Sequence, residues 1–189
     1  STLNGSQIAY DKLVLAPGID FDAIPGLDSS VLPHAWQAGP QTLALKAQLQ
    51  AVPAGGTFVM SIPQAPYRCP PGPYERACLI ADSLLRNRRA GKVIVLDANP
   101  DVVAEAHTFH TAFSTTYAGV IEYRPGTEVL SVDWASKKIT TNWDTIQADA
   151  ANIIPRQKAG KLVVAAGLLG SAPGARWAPV NPLSYESTL

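Results

Sequence analysis

The sequence predicts an α/β protein in which a parallel sheet is followed by an antiparallel β-meander. Two segments, 57–62 and 92–96, are almost continuously apolar and flank a helical segment, a pattern typical of parallel strands buried on both faces. Segments 128–134 and 138–143 instead alternate apolar and polar residues, which favours antiparallel strands. With 189 residues, 47% hydrophobic and 16% charged, the chain has ample material for a core.

The first part of the chain is predicted as a strand, a loop and a helix. Residues 12–16 are apolar after Lys12 and predict a strand that ends abruptly at Ala16, Pro17 and Gly18, as a strand ends at a turn. A loop rich in glycine, aspartate and proline follows. Apolar residues at helical spacing then predict a short helix over 41–50.

The two apolar segments and the helix between them form a βαβ unit. The helix is predicted over 74–89, and the second strand closes on Asp97. Because such crossovers are right-handed, this unit is one half of a doubly wound, Rossmann-like domain. A further helix over 100–117 is predicted on weaker grounds, because its threonines and serine are indifferent helix formers.

The C-terminal part is predicted as a meander followed by a returning strand. Segments 128–134, 138–143 and 145–148 would form the meander, and a buried strand over 148–155 would end at a sharp turn. The remainder to Leu189 is rich in proline and lacks periodicity. We interpret most of it as an ordered loop or docking segment.

Charge and composition argue against several classes of partner. Fifteen Lys and Arg residues balance fifteen Asp and Glu residues, so no net field favours nucleic acid or an anionic membrane surface. No apolar run reaches the roughly 18 residues of a membrane-spanning helix, and the first residues carry no export signal. His34, His107 and His110 lack the carboxylate neighbours of a metal site, so no metal is expected.

The loop of the βαβ unit argues against a nicotinamide nucleotide. Asp97 occupies the position of the acidic residue that binds a ribose hydroxyl in dinucleotide-binding units. The glycine turn that would bring backbone amides to the pyrophosphate is replaced, however, by the proline-rich segment 63–73. Since proline has no N–H and fixes the backbone, we expect a poor nicotinamide site.

The same loop carries a candidate reactive thiol. Cys69 precedes the predicted helix, and both the helix dipole and the neighbouring Arg68 favour a thiolate there. A packing role for Cys69 is the alternative that composition leaves open. Cys78 falls inside the helix among apolar residues and is interpreted as a packing residue.

Residues 67–76, Tyr-Arg-Cys-Pro-Pro-Gly-Pro-Tyr-Glu-Arg, closely resemble the signature of flavocytochrome c sulfide dehydrogenase flavoproteins. Segments 10–19, 33–39, 152–160 and 177–182 are similar to further blocks of that family. The resemblance therefore extends over nearly the whole chain.

The resemblance implies an FAD-dependent enzyme that passes electrons from sulfide, or a related sulfur compound, through the flavin to a c-type cytochrome subunit in the periplasm. It also implies the two-dinucleotide-domain architecture of the disulfide reductases. Residues 1–35 would then be a partial FAD-domain strand and linker. Residues 36–150 would be an NAD(P)-type Rossmann-like domain with the β-meander, and 151–189 a return segment to the FAD domain.

The resemblance also assigns site residues. Cys69 would be one member of the redox disulfide that sulfide attacks. The residues expected near FAD are Ala16, Pro17 and Gly18, with Pro155 and Trp177 near its isoalloxazine ring. Ala178 stands where the second redox cysteine is expected, so the family's disulfide cannot form at that position. Three possibilities stay open: another thiol resolves the persulfide, Cys69 acts alone, or this member performs different chemistry.

The resemblance finally implies that parts of the enzyme lie outside this chain. The GxGxxG turn for the FAD pyrophosphate and the Gly-Asp strand end for the ribityl chain have no counterpart in the 189 residues. We therefore expect the isolated chain to bind FAD weakly or not at all and to be inactive. Two other functions stay open: an NAD(P)H-dependent flavin reductase, which the proline loop disfavours, and a non-catalytic cytochrome-docking module.

Overall fold

The computed structural model describes residues 4–87 and 91–189, which form two compact units. The sheet unit is Phe21–Gln157, and the terminal unit combines the described residues up to Asp20 with Lys158–Leu189. Strands β1 (Ile19–Phe21) and β9 (Gln157–Ala159) pair with each other where the chain passes between the units. The assignment of 1–35 and 151–189 to an FAD domain stays a prediction.

A four-stranded parallel sheet is the centre of the sheet unit. Its spatial order is β4–β3–β2–β8, with β2 Thr57–Ile62, β3 Lys92–Asp97, β4 Ile121–Arg124 and β8 Ala150–Ile153. Both neighbours of β2 run parallel to it, so that Met60 lies opposite Val95 on one side and Asn152 on the other. The predicted parallel sheet is confirmed.

Helices cover one face of this sheet. They are α1 (Pro40–Ala51), α2 (Gly72–Arg86) and α3 (Ala106–Thr111), which continues as a π-helical segment over Ala112–Thr116. Every second residue of β2 points to this face, where Phe58, Met60 and Ile62 share one core with α2. Helix α2 buries residues at helical spacing, namely Tyr74, Ala77, Ile80, Ala81 and Leu84.

The meander packs on the opposite face of the sheet. It consists of β5 (Val129–Asp133), β6 (Lys138–Thr141) and β7 (Thr145–Gln147), paired antiparallel in that order. Its inward residues share a second core with the intervening residues of the parallel strands: Val132, Ile139 and Ile146 pack with Val59, Leu96 and Ile153. The predicted meander is therefore confirmed, and the parallel strands are buried on both faces.

Two predicted elements differ from the structure. Residues 12–16 form no strand: within the described residues no strand pairs with them, and the Val14 side chain is 90% exposed. The predicted helix over 100–117 begins only at Ala106. Its start is delayed because Glu105 adopts a left-handed backbone with φ 55°, which a right-handed helix cannot include.

Other boundaries shift by smaller amounts. Helix α2 begins two positions before the predicted start, and Arg88 and Arg89 of the predicted helix lie outside the described residues. The sequence patterns did not predict β9 or the short helix α4 (Lys161–Ala165) of the terminal unit. In the part of the chain that the structure describes, no helix is long and apolar enough to cross a membrane.

Candidate functional site

Cys69 lies in the loop between β2 and α2, at the carboxyl edge of the parallel sheet, and its side chain is exposed. Its backbone adopts φ 59°, a left-handed conformation that non-glycine residues seldom take. Its carbonyl accepts a hydrogen bond of 3.0 Å from the amide of Gly72, in the first turn of α2. The loop thus presents the thiol in a backbone conformation that only surrounding contacts can maintain.

Those contacts hold the residues on either side of Cys69. The amide of Arg68 donates to Oε1 of Gln157 at 2.8 Å, and its carbonyl accepts from Nε1 of Trp36 at 3.2 Å. The Tyr67 hydroxyl donates to the carbonyl of Pro70 at 3.2 Å. The peptide groups around Cys69 are therefore tied to three separate side chains.

The Cys69 sulfur, Gly72 and the Trp36 ring meet at one point, which we call the Cys69 notch. A Cβ atom placed on Gly72 would lie 2.9 Å from Cys69 Sγ and 3.1 Å from Trp36 Cη2. Both distances are shorter than the roughly 3.5–4.0 Å of an ordinary nonbonded contact. Glycine at this position therefore leaves the notch open.

The Trp36 ring is itself held by Arg76 of α2. The Arg76 guanidinium lies 4.5 Å from the ring centroid, a cation–π arrangement. It donates to the carbonyls of His34 and Ala35 at 2.9 and 2.8 Å and to Oδ1 of Asn152 at 2.9 Å. Three fixed acceptors thus set the position of the charge behind the ring.

Asp97 at the end of β3 is fully buried and saturated with hydrogen bonds. Its Oδ2 accepts from the hydroxyls of Tyr74 and Tyr123 at 2.7 and 2.8 Å, and its Oδ1 accepts from the amide and the side chain of Asn99 at 2.9 and 2.7 Å. Burial raises the pKa of both tyrosines, so they stay protonated donors. Both carboxylate oxygens are therefore already occupied and do not offer an acceptor to a ribose hydroxyl.

Asn99 connects this buried carboxylate to the proline loop. Its side chain donates to the carbonyl of Pro63 at 3.0 Å and accepts from the amide of Ala65 at 2.9 Å. The start of the loop is therefore fastened to the end of β3. Asp97, in turn, fixes the orientation of the Asn99 amide.

The other cysteine and the histidines take structural positions. Cys78 is half-buried on α2 and packs against the core, and burial together with the charge of Glu75 raises the pKa of its thiol. The buried His34 accepts from the amide of Trp36 through Nδ1 at 3.1 Å, while burial and the charge of Arg76 lower its pKa. Residues 4–87 and 91–189 contain no group of three or more His, Cys, Asp or Glu side chains suited to a metal ion.

The predicted FAD-contacting residues are divided between the units. Pro155 is buried in the sheet unit. In the terminal unit, Pro17 and Gly18 are exposed and lie beside Gly160, where a Cβ would be 3.4 Å from the Gly18 carbonyl oxygen. Ala159, next to Gly160, donates to the carbonyl of Arg176 at 2.8 Å. Pro17 and Gly18, which follow the exposed Ala16, therefore lie against the short stretch 159–160. The segment leading to Trp177 is bonded to the same stretch.

Trp177 has an unsatisfied donor. Its indole Nε1 is buried and has no hydrogen-bond partner among the described residues. A buried N–H without an acceptor is costly, so this atom suits a bound group that carries acceptor oxygens or nitrogens. Ala178 follows it and lines a cavity of about 540 Å³ together with Leu15 and Leu168.

Sequence reasoning missed three residues that shape the site. They are Trp36, Asn99 and Gln157. Asn99 carried a local signal, because a polar side chain just after a buried strand points to the carboxyl edge of the sheet. The other two carried none that spacing could reveal, since they come from distant elements.

Comparison with known proteins gives a family and a fold. The family described as sulfide dehydrogenase (flavocytochrome c) flavoprotein chain, central, matches residues 42–155. A water-forming NADH oxidase from Lactobacillus brevis, bound to NADH, is similar over 88% of this chain and 35% of its own, with 20% identity and a TM-score of 0.55.

Two further structures give the same result. Reduced CoADR-RHD from Bacillus anthracis is similar over 86% of this chain and 28% of its own, with 18% identity and a TM-score of 0.54. The HOCl-induced flavoprotein disulfide reductase RclA from Escherichia coli is similar over 88% and 35%, with 15% identity and a TM-score of 0.51. This chain spans about a third of these proteins, and at such identities the likeness shows the fold.

Proposed function

We propose, because this chain belongs to the family of sulfide dehydrogenase (flavocytochrome c) flavoprotein chains, that it is part of a flavin-dependent enzyme oxidising sulfide or a related sulfur compound. The observation that carries the proposal is the exposed Cys69 thiol in a loop fixed on both sides by hydrogen bonds. A rigidly held, accessible thiol is what a sulfur acceptor requires.

The proposed step forms a persulfide on Cys69. The sulfur of H₂S and the sulfur of Cys69 form one S–S bond, and the two S–H bonds that break release two protons and two electrons. The oxidant that takes the two electrons is a flavin, and FAD supplies two-electron acceptance when it is bound.

Residues of the terminal unit fit a flavin nucleotide. The buried Trp177 N–H has no protein acceptor among the described residues, and a flavin offers ring nitrogens and carbonyl oxygens. At Gly18, with φ 74°, a Cβ would meet nothing within 4 Å, which leaves room for a ligand against the backbone. We assign Trp177, Gly18 and the adjoining Ala16 and Pro17 to holding FAD in the complete protein. Pro155 is proposed near the isoalloxazine ring on the family resemblance alone.

The electron acceptor and the compartment are part of the proposal. The family's name includes flavocytochrome c, so we propose a c-type cytochrome subunit as the partner and the periplasm as the location. The formal net charge of zero gives this chain no overall preference for nucleic acid.

An NAD(P)H-dependent reductase is the main competing function. Two observations weigh against it in this chain: the loop after β2 lacks the glycine amides that hold a pyrophosphate, and the Asp97 carboxylate already accepts four hydrogen bonds. NADH or NADPH would therefore find neither the phosphate site nor the ribose acceptor in the sheet unit.

The test is an anaerobic visible spectrum of the complete protein before and after sulfide is added. We expect the oxidised flavin band to bleach with sulfide, and Cys69→Ala to abolish the bleaching while Cys78→Ala retains it. Bleaching that survives in Cys69→Ala would refute the sulfur-acceptor role. Bleaching by NADH in place of sulfide would support the reductase, and cytochrome binding with an unresponsive flavin would support a docking module.

A further inference from the structure

One side of the Cys69 notch is formed by a single aromatic ring. Trp36 Cη2 and Cζ2 lie 3.1 and 3.3 Å from the point where a Gly72 Cβ would stand, and Cys69 Sγ lies 2.9 Å from that point. The sulfur and the ring therefore border the same small space beside Gly72. An aromatic ring near sulfur also makes a favourable contact.

Trp36 is fixed in three ways that do not depend on Cys69 itself. Its Nε1 donates to the Arg68 carbonyl at 3.2 Å, one residue before the thiol. The Arg76 guanidinium covers the ring at 4.5 Å. The Trp36 amide donates to Nδ1 of His34 at 3.1 Å. Backbone, ring and indole N–H are thus each held by a different partner, so the ring cannot swing away from the sulfur without breaking one of them.

From this arrangement we propose that Trp36 is a positioning residue for Cys69, which fixes the backbone before the thiol through its bond to the Arg68 carbonyl and walls the space beside the sulfur with its ring. A bulky substituent on Cys69 therefore meets the indole ring more than a small one does. The inference rests on the proposed function only for sulfide as the group that Cys69 accepts. The wall itself is a property of the thiol site whatever its substrate.

The experiment measures the size selectivity of the Cys69 thiol in the complete protein. Iodoacetamide serves as the small reagent and a maleimide bearing a bulky aromatic group as the large one. The Cys69 peptide is followed by mass spectrometry, in a Cys78→Ala background that removes the other thiol of this chain. The quantity compared is the ratio of the alkylation rate with the bulky reagent to the rate with the small reagent. A general loss of stability changes both rates and therefore does not systematically shift their ratio.

Three variants give the comparison. Trp36→Ala removes the wall and the N–H bond, Trp36→Phe removes the N–H bond and part of the wall but keeps a smaller ring, and Trp143→Phe is the matched control. Trp143 is suitable because its indole N–H also donates to a backbone carbonyl, that of Gly126 at 3.0 Å, in the exposed meander.

We expect the ratio of the bulky-reagent rate to the small-reagent rate to rise about fivefold in Trp36→Ala, because removing the indole opens space that only the bulky reagent needs. Trp36→Phe should give a smaller rise, and Trp143→Phe none. An unchanged ratio in Trp36→Phe and Trp36→Ala overturns the proposal. If Trp36→Ala does not fold, Trp36→Phe against the control decides it.

A second readout separates this proposal from the proposed function. Anaerobic incubation with sulfide, followed by mass analysis of the Cys69 peptide, tests whether a persulfide forms on the protein that carries Trp36. If no persulfide forms yet the alkylation ratio shifts in the Trp36 variants, the sulfide function fails and the positioning role stands. If the persulfide forms and the ratio does not shift, the positioning role fails and the sulfide function stands.

Discussion

The substitution Gly72→Ala tests the geometry of the Cys69 notch with the smallest possible change. The new methyl group would stand 2.9 Å from Cys69 Sγ, so the sulfur must move by roughly 0.6–1 Å to reach an ordinary contact distance. Such a displacement takes the Cys69 side chain off its rotamer at a cost of about 0.5–1.5 kcal/mol.

The free energy of unfolding should nevertheless change little. Gly72 is the first residue of α2 and has no positive φ, so alanine fits its backbone without strain. Replacing glycine by alanine at such a backbone also stabilises by about 0.4–1 kcal/mol through the lower entropy of the unfolded chain, which offsets the displacement of the sulfur. We expect the urea unfolding midpoint to move by an amount equivalent to less than about 1 kcal/mol.

The reactivity of the thiol should change clearly. Because the methyl group fills the notch beside the sulfur, Cys69 should react with iodoacetamide about fivefold more slowly, which corresponds to a cost of about 1 kcal/mol. Sulfide-driven bleaching of the flavin should slow by a similar factor. The matched control is Gly119→Ala, a glycine away from the site where a Cβ would meet nothing within 4 Å, although its φ of 76° makes alanine strained there. That control should alter stability and leave thiol reactivity unchanged, and normal Cys69 reactivity in Gly72→Ala would refute the notch.

Two further predictions concern buried polar groups around the site. Asp97→Asn should lower the free energy of unfolding by about 3 kcal/mol, because Oδ2 accepts from two tyrosine hydroxyls and a side-chain amide cannot satisfy all four donors. The surface control Asp82→Asn should cost under about 1 kcal/mol in the same urea titration, and equal costs would contradict the reasoning. For His34, the folded-state pKa lies below its ordinary 6.5, so the unfolded chain takes up the proton first and stability falls as the pH drops below about 6.5. His34→Gln should lose part of that dependence in unfolding midpoints measured between pH 5 and 7.5, whereas an unchanged slope would exclude His34 as its source.

The parallel sheet and the meander could be predicted because both depend on short-range patterns. Strands buried on two faces are apolar throughout, and strands with one solvated face alternate between apolar and polar residues. The period of the hydrophobic pattern alone therefore separates β2 and β3 from β5 and β6. The same reasoning failed at 12–16, where the apolar run has no pairing partner in the described chain. Apolar composition gives a strand only when a neighbour supplies its hydrogen bonds.

The location of the thiol could also be predicted, but its surroundings could not. The sequence places the positive charge of the Arg68 side chain next to Cys69, at the start of a helix. In the structure the Arg68 side chain is exposed, and its contribution comes through its backbone, which is bonded on both sides. The cation that is fixed near the notch is Arg76, one turn into α2. It lies over the ring of Trp36, which comes from a distant loop. Contacts between residues this far apart in sequence arise from the tertiary fold and leave no local pattern.

The hydrogen bonds of Asp97 are consistent with the proposal that the βαβ unit holds a reactive thiol in place of a nucleotide. A ribose acceptor must be exposed, whereas this carboxylate is fully buried and binds two tyrosine hydroxyls and Asn99. Asn99 in turn fastens the loop that carries Cys69. The two departures from a nucleotide site therefore support each other: prolines remove the amides that a pyrophosphate needs, and the acidic residue that a ribose would have used becomes the anchor of the loop. Releasing the Asp97 carboxylate from its hydrogen bonds would loosen the loop that carries Cys69 without creating a pyrophosphate site. One substitution therefore cannot convert this loop from a thiol site to a nucleotide site.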